Sequence, residues 1–168
     1  MSKSNCIAFI ILLLGACGNV DKLEHTETIN KKTVLDYVDT IWNKKDLNSL
    51  DQFFSNDFTR KVNNIEVAND NAELNANINI LFTAFPDLSL TPESIISTKN
   101  FVFLNWDIKG TNTGVFGDLE STGKKVKISG MTSFELNELG EIIYENVYYN
   151  ELSLLQQLGY SLTKSETE

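Results

Sequence analysis

The spacing of apolar residues changes near Pro86, from the three-to-four-residue interval of helices to the alternation of strands. The first predicted helix covers residues 33–45, and Thr33 with Asp36 forms a capping-box pattern at its start. Its apolar face consists of four residues at helical spacing: Val34, Val38, Ile41 and Trp42. A second, short helix is predicted over residues 47–54.

A polar connector follows, in which Ile65 and Val67 alternate with polar residues as in a strand. Asp70, with Glu73 three residues later, is a further capping pattern and begins a longer helix that Pro86 ends. The apolar stripe of this helix is Leu74, Ile78, Leu81, Phe82 and Phe85. Stripes of this kind indicate packing in a core.

Beyond Pro86 the alternation predicts four strands separated by turn signals, at residues 88–98, 101–112, 124–136 and 141–150. A helix over residues 151–158 closes the pattern. Helices followed by an antiparallel meander predict an α+β fold, with helices packed on one face of a strongly curved, mostly antiparallel sheet that encloses a pocket.

Composition narrows the classes of partner. The 168 residues are 42% hydrophobic, enough for one domain, and the net charge of −9 argues against nucleic acid and against electrostatic attachment to anionic membranes. His25 is the only histidine, and two cysteines cannot complete a transition-metal site. We therefore expect no transition-metal site.

The N-terminus has the layout of a secretory signal, residues 1–16: Lys3, then an apolar run over residues 7–14, then small residues before Cys17. Eight residues of helix span about 12 Å, against roughly 30 Å for the hydrocarbon core of a bilayer. The sequence Leu-Gly-Ala-Cys at 14–17 resembles the bacterial lipobox, which implies lipidation of Cys17. The alternative is an ordinary signal peptide with an incidental cysteine.

Residues 17–32 are predicted to consist of the lipidated cysteine that the lipobox resemblance implies and a flexible tether that contains His25. The tether is predicted because the chain from Gly18 to Lys32 is polar and aperiodic. The globular domain is predicted at residues 33–160, and residues 161–168 form a polar tail. Such a protein is exported and lipid-anchored in the bacterial cell envelope. The sequence does not indicate which membrane holds the anchor.

The glycine-rich segment "KGTNTGVFG", residues 109–117, is the most conspicuous candidate for phosphate binding. Its glycines lack the G-x-G-x-x-G spacing and lead into a strand rather than a helix. The adjoining "GDLESTGKK", residues 117–125, has five residues between glycines and no Ser or Thr after the lysine pair, unlike a P-loop. We expect these glycines to let a strand bend.

Five segments in order resemble the SnoaL-like polyketide cyclase (ester cyclase) family. They are "FPDL" at 85–88, "W-x-x-x-G-T-x-T-G-x-F" at 106–116, "GKKV" at 123–126, "G-E-I" at 140–142 and "LLQQLG" at 154–159. The resemblance covers residues 33–160. It implies a nuclear-transport-factor-2-like cone around an apolar cavity, with dimerisation through the sheet.

The resemblance also implies a chemistry, intramolecular aldol closure by an acidic side chain without metal or cofactor. At the family's Asp and His positions this chain has Asn150 and Asn112, and a family Trp position reads Asn146, while Trp106 matches. An amide cannot accept a proton as a carboxylate does, so the usual base is missing.

Alternation along the last strand groups Ile142, Tyr144, Asn146, Tyr148 and Asn150 on one face, with Glu141, Glu145 and Tyr149 on the other. The resemblance implies that the first face is the one toward the pocket, because the family's Asp position is on it. The predicted ligand-binding residues are Trp42, Trp106, Asn112, Tyr144, Asn146, Tyr148 and Asn150. Such a lining suits a neutral, flat or elongated small apolar or polyketide-like molecule. The carboxylates considered as replacements for the base are Asp36, Asp39 and Asp107.

Three functions are therefore considered. The first is a lipid-anchored domain that binds a small apolar molecule without converting it. The second is a cyclase- or isomerase-type enzyme with a displaced base. The third is a protein-interaction module with a vestigial cavity.

Overall fold

The computed structural model describes residues 11–163, with side chains from residue 22 onward. Within this range the elements are α1 (Ile11–Tyr37), β1 (Phe54–Val62), β2 (Ile65–Ala68), α2 (Asn71–Ala84), β3 (Ser89–Thr98), β4 (Phe101–Thr111), β5 (Lys125–Leu136), β6 (Ile142–Tyr149) and α3 (Glu151–Leu158). A π-helix, Val38–Asn43, and a 3-10 helix, Leu47–Gln52, connect α1 to β1.

The strands form one six-stranded sheet in the order β2-β1-β6-β5-β4-β3. Only β1 and β6 pair in parallel, and the remaining pairs are antiparallel. The sheet curls without closing, and its concave face is covered by α1 against β3 and β4, α2 against β1 and β2, and α3 against β5. The predicted α+β fold with helices on one face of a curved sheet is confirmed.

Local signals in the sequence explain where two of the helices begin and end. The Asp70 carboxylate accepts a hydrogen bond from the Glu73 backbone N–H at 2.8 Å and caps α2, which ends just before Pro86. Asn150 caps α3 in the same way through Ser153, at 3.0 Å. Gly159, with φ +98°, ends α3 in the left-handed conformation that glycine adopts without strain.

The conformation of residues 17–32 differs from the prediction. Instead of an aperiodic tether and a helix that starts at Thr33, α1 runs through this segment without a break. The Glu27 side chain accepts a hydrogen bond from the Lys99 backbone N–H at 2.9 Å, and the buried Asn30 amide donates to the Lys99 carbonyl at 3.1 Å. Because these contacts are polar and involve a hairpin that is distant in sequence, the hydrophobic pattern of residues 17–32 does not predict the helix.

Part of the predicted N- and C-terminal segments cannot be compared. Residues 1–10 of the predicted signal and residues 164–168 of the predicted tail lie outside the described residues, as does the side chain of Cys17. None of the helices within residues 11–163 has both the length and the apolar character needed to cross a membrane.

Strand β1 is absent from the sequence prediction. Its mixed sequence, FSNDFTRKV, has no clean alternation, and it is held by parallel pairing with the distant β6, for example Arg60 beside Glu145. The other strand boundaries agree with the prediction to within one residue. This omission matters for the site, because β1 and β6 together supply its buried ion pair, Arg60 and Glu145.

Candidate functional site

A cavity of about 310 Å³ lies between the concave face of the sheet and the helices. Most of its wall is aliphatic or aromatic, including Val38, Leu88, Leu90, Leu104, Ile108, Val126, Ile128, Phe134 and Val147. The lining residues Val67, Ile80 and Phe116 are partly or well exposed and mark where the cavity opens. The volume is at the lower end of that of small-molecule sites.

Strands β4 and β5 build one wall by simple alternation. On β4, Leu104, Trp106 and Ile108 face the cavity, while the intervening residues face the opposite side of the sheet. The indole Nε1–H of Trp106 donates to Thr132 Oγ1 on β5 at 2.9 Å, so its polar atom is satisfied within the wall.

Gly130 allows the Trp106 ring to lie across β5. The two residues are register partners, and a Cβ atom at position 130 would lie 2.3 Å from Trp106 Cζ2. Because no side chain can be accommodated there, glycine is required for the observed ring position. The position of the Trp106 ring in the cavity wall therefore depends on the absence of a side chain at Gly130.

A buried polar cluster interrupts the apolar wall. It consists of Tyr37 from α1, Arg60 from β1 and Glu145 from β6, and all three residues line the cavity. Arg60 Nη1 donates to Glu145 Oε2 at 2.6 Å and to Tyr37 Oη at 3.3 Å, and both charged side chains are 2% exposed. Tyr37 Oη lies 3.4 Å from each carboxylate oxygen.

Burial determines the ionisation of this cluster. Removal from water raises the pKa of Glu145 even though Arg60 opposes the shift. Burial, the largest single effect, would lower the pKa of Arg60, but the charge and hydrogen bonds of Glu145 and Tyr37 together outweigh it. The pKa of Arg60 is therefore raised, and the guanidinium stays charged. Burial, followed by the nearby carboxylate, also raises the pKa of Tyr37, so its hydroxyl keeps its proton.

The prediction for β6 is wrong about which side chains face the cavity. Glu135 of β5 pairs with Tyr144 and Leu136 pairs with Ile142, so Ile143 is an extra residue that forms a β-bulge. A one-residue bulge shifts the alternation, and the residues beyond it that line the cavity are Glu145, Val147 and Tyr149. The sequence analysis placed Glu145 and Tyr149 on the opposite face.

Tyr144, Asn146 and Tyr148, predicted to bind ligand, consequently lie outside the cavity. The Asn146 amide nitrogen donates to Tyr148 Oη at 2.7 Å and to Tyr144 Oη at 3.3 Å. These three residues form a hydrogen-bonded row on the outer face of the sheet.

Asn112 and Asn150 are both outside the cavity wall and both have structural partners. The buried Asn112 amide donates to the carbonyls of Ala84 (3.2 Å) and Gly114 (2.8 Å), and its oxygen accepts from Thr122. Asn150 caps α3. Two of the seven predicted ligand-binding residues, Trp42 and Trp106, do line the cavity.

The carboxylates considered as replacement bases are also outside it. Asp36 and Asp39 are exposed on the first helical segment, and Asp107 pairs with Lys127 at 2.7 Å on the outer face of the sheet. Sequence reasoning missed Arg60 and Glu145. The one available signal was that Arg60 is the only arginine in the chain, placed in a segment with no clear period.

The glycines of residues 109–117 have separate local roles. Gly110 lies at the end of β4 in the cavity wall, where a Cβ atom would meet Phe85 Cβ at 3.1 Å. At Gly114 a Cβ atom would lie 2.1 Å from the Thr83 carbonyl oxygen, and Gly117 has φ +60° in a turn. The segment packs against the end of α2.

A curled sheet that surrounds an apolar cavity together with three helices defines the chain as a nuclear-transport-factor-2-like domain. The chain belongs to the SnoaL-like polyketide cyclase family, whose pattern matches residues 32–158. Curated proteins provide no match.

Solved structures with the same fold come from several bacteria. AclR from Streptomyces galilaeus is 26% identical, with a TM-score of 0.70 over 79% of this chain and 97% of that one. A SnoaL-like protein from Jannaschia sp. CCS1 is 22% identical, with a TM-score of 0.75 over 82% and 96%. A phenazine biosynthesis-related protein from Pseudomonas aeruginosa is 17% identical, with a TM-score of 0.71 over 89% and 97%.

Proposed function

We propose that this domain binds a small, mainly apolar molecule in its cavity. The observation that carries the proposal is the cavity itself, about 310 Å³ in volume, walled mainly by aliphatic and aromatic side chains and partly open to solvent. Burial of a ligand's apolar surface there would contribute roughly 25 cal/mol for each Å² removed from water. A polyketide-like molecule, as the family name indicates, fits this description.

Binding without conversion is the simplest form of the proposal. The amides of Asn112 and Asn150 cannot act as bases, and each is already used to hold a loop or cap a helix. At these two positions the chain therefore offers no general base.

The test of binding is a cavity-filling variant. We expect an apolar fluorescent probe to bind the purified domain and Ile128→Phe to weaken it at least tenfold, because Ile128 lines the cavity. Met131→Phe adds similar bulk on the outer face of the same strand and serves as the control. Equal affinity in all three proteins would reject the cavity as the binding site.

A second candidate function, proton abstraction, is favoured by the position of Glu145. Its carboxylate lies in the cavity wall, and burial raises its pKa toward the range where a carboxylate is an effective base. Glu145 would take the proton from a carbon next to a carbonyl. The C–H electron pair would move into the enolate, whose oxygen Arg60 would stabilise. The enolate carbon would then attack a second carbonyl within the same molecule, the π electrons of that carbonyl would move to its oxygen, and this oxygen would take the proton back from Glu145.

Deuterium exchange distinguishes the two functions. If the domain is an enzyme of this type, the protons next to the carbonyl of β-tetralone exchange faster in D₂O with the native protein than in buffer, and Glu145→Gln abolishes the acceleration. Exchange at the buffer rate, with the ketone bound and recovered unchanged, would support binding alone.

We also propose that Cys17 is lipidated and anchors the protein in the bacterial cell envelope. The support is the signal-like segment before it and the lipobox-like residues 14–17. Mass spectrometry of the protein extracted from membranes should find a diacylglycerol-type addition on Cys17, and Cys17→Ser should release the protein into the soluble fraction. An unmodified Cys17 in a membrane-bound native protein would contradict this.

A homodimer formed through the outer face of the sheet is the third part of the proposal. That face carries an open-face patch of exposed apolar residues: Ile96, Phe101, Phe103, Met131 and Tyr148. They lie on four consecutive strands, β3 to β6, with Ile96 beside Phe103 and Met131 beside Tyr148. A contiguous exposed apolar patch is typical of a protein interface.

A further inference from the structure

Arg60 brings more hydrogen-bond donors to the cavity than the surrounding side chains accept. A guanidinium has five N–H groups. Within the described part of the chain both hydrogen bonds of Arg60 leave from Nη1, to Glu145 and to Tyr37, and the buried Nε has no partner. The N–H groups of Nε and Nη2 form one edge of the guanidinium, which we call the free edge.

The free edge belongs to a side chain that is held in place. Arg60 is 2% exposed, its Nη1 is 2.6 Å from Glu145 Oε2, and its guanidinium carbon lies 5.6 Å from the centre of the Trp42 ring. A buried donor without an acceptor destabilises the protein, and does so more strongly when the group is charged. An acceptor supplied by a bound molecule would remove that cost.

We propose that the free edge of Arg60 determines the specificity of the cavity, and that its ligand is an uncharged, mainly apolar molecule with an oxygen acceptor, such as a ketone, ester or lactone. This inference rests on the proposed binding function and names the class of ligand. Both N–H groups of the free edge lie on the same side of the guanidinium and can converge on one carbonyl oxygen.

The charge of the lining favours a neutral ligand over a carboxylate. Arg60 is the only cation among the described lining residues, and Glu145 already balances it. The remaining charged residue of the lining, Glu151, is acidic. A ligand carboxylate would therefore bring an unbalanced negative charge into an apolar site, which is strongly unfavourable. A pure hydrocarbon would leave the free edge without an acceptor.

Three probes that share one ring system separate these cases: tetralin, its ketone β-tetralone, and the corresponding tetralin carboxylate. Calorimetric titration of the purified domain measures each affinity at neutral pH. We expect β-tetralone to bind about tenfold more tightly than tetralin, as one hydrogen bond to a charged donor provides. The carboxylate should bind most weakly.

The variant that tests the assignment replaces the ion pair as a unit. Arg60→Met alone would leave Glu145 buried without its partner and could unfold the protein, so we combine it with Glu145→Leu, which keeps the volume and leaves no unpaired charge. The double variant should bind tetralin at least as tightly as the native domain does, because the unpaired N–H groups of Arg60 are gone, and it should lose the preference for the ketone. Lys61→Met, next in β1 but on the outer face, is the matched control and should keep the preference.

The outcomes separate this inference from the function on which it rests. If no probe binds, the proposed binding function fails, and the inference fails with it. If the ketone and tetralin bind equally, or if the double variant keeps the ketone preference, Arg60 is not the determinant although the cavity still binds apolar molecules. If the carboxylate binds best, the ligand is an anion and the charge argument is overturned.

Discussion

Glu145 is the residue whose charge state has the widest consequences in this cavity. Its carboxylate is 2.6 Å from Arg60 and shielded from water on all sides, so the attraction of the guanidinium competes with the loss of hydration. The loss of hydration dominates and raises the pKa of Glu145 above its ordinary value of 4.5. A raised pKa means that the folded protein holds this proton more tightly than the unfolded chain does.

The first prediction concerns the pH dependence of stability. The contribution of Glu145 is complete below its ordinary pKa and is lost as the pH rises through the raised value. Gln mimics the protonated form of Glu. Between the ordinary and the raised pKa of Glu145, the free energy of unfolding of Glu145→Gln should therefore increase relative to that of the native protein by up to about 1.4 kcal/mol for each pH unit. Urea unfolding from pH 4 upward measures the difference.

The exposed Glu138, in the turn before β6, provides the control for this series. Glu138→Gln should follow the native protein at every pH. If the native protein instead becomes more stable relative to Glu145→Gln as the pH rises, the attraction of Arg60 outweighs burial and the pKa of Glu145 is lowered.

Asn112 gives a second prediction at the residue scale. Its amide group makes hydrogen bonds to Ala84, Gly114 and Thr122, all within the protein, so Asn112→Ala leaves buried partners unpaired. We expect the free energy of unfolding to fall by about 2–3 kcal/mol. Probe affinity in the remaining folded protein should stay within twofold, because Asn112 does not line the cavity.

The exposed Asn79 on α2 is the matched control, and Asn79→Ala should change neither stability nor affinity appreciably. A large loss of affinity in Asn112→Ala without loss of stability would return Asn112 to the ligand site, where the family resemblance placed its position.

The residues that matter here illustrate what a single sequence can and cannot indicate. Trp42 follows from a periodic apolar face and Trp106 from the family resemblance, and both line the cavity. Arg60 and Glu145 are 85 positions apart, and their contact depends on the parallel pairing of β1 with β6. No local pattern encodes such a pairing, and the charged residues gave no other sign of being buried.

At the scale of elements, a glycine allows a large side chain of one strand to lie against the backbone of the next. Gly130 on β5 receives the Trp106 ring, and a Cβ atom there would lie 2.3 Å from Cζ2 and 2.4 Å from Cη2. Gly130→Ala therefore forces the ring to move. We expect a loss of about 1–3 kcal/mol in the free energy of unfolding, together with a shift in tryptophan fluorescence.

Ser133→Ala, on the same strand but facing outward, is the control for Gly130→Ala. An alanine at position 130 that leaves both stability and fluorescence unchanged would mean that the Trp106 ring does not lie across β5 in solution.

Elements were predictable wherever one face is apolar. The bounds of α3 and the four strands beyond Pro86 follow from alternation, turn residues and caps, all of which are local. The face of β6 did not follow, because Ile143 is an extra residue in the ladder and reverses the alternation after it. Because the bulge residue Ile143 follows another isoleucine, Ile142, the hydrophobic pattern does not indicate the bulge.

At the scale of the whole molecule, the two faces of the sheet have different roles. The concave face is covered by three helices and encloses the cavity, while the outer face carries the open-face patch with no element of the described chain packed on it. A monomer would leave these apolar side chains in water. Pairing of two copies about a two-fold axis would cover the same patch on both, as isologous dimers do.

The corresponding prediction is that the domain is a dimer and that Phe103→Lys makes it a monomer. Phe103 is 38% exposed, lies beside Ile96 and stacks on Phe101 with ring centres 6.4 Å apart, so a lysine there places a charge within the patch of each copy. Light scattering after size exclusion gives the mass. Ile65→Lys changes a residue that is more exposed, at 70%, but lies on β2 outside the patch, and it should stay dimeric. Because Phe103 does not line the cavity, Phe103→Lys should bind apolar probes as before. A native domain that is monomeric at high concentration would contradict the dimer without affecting the cavity.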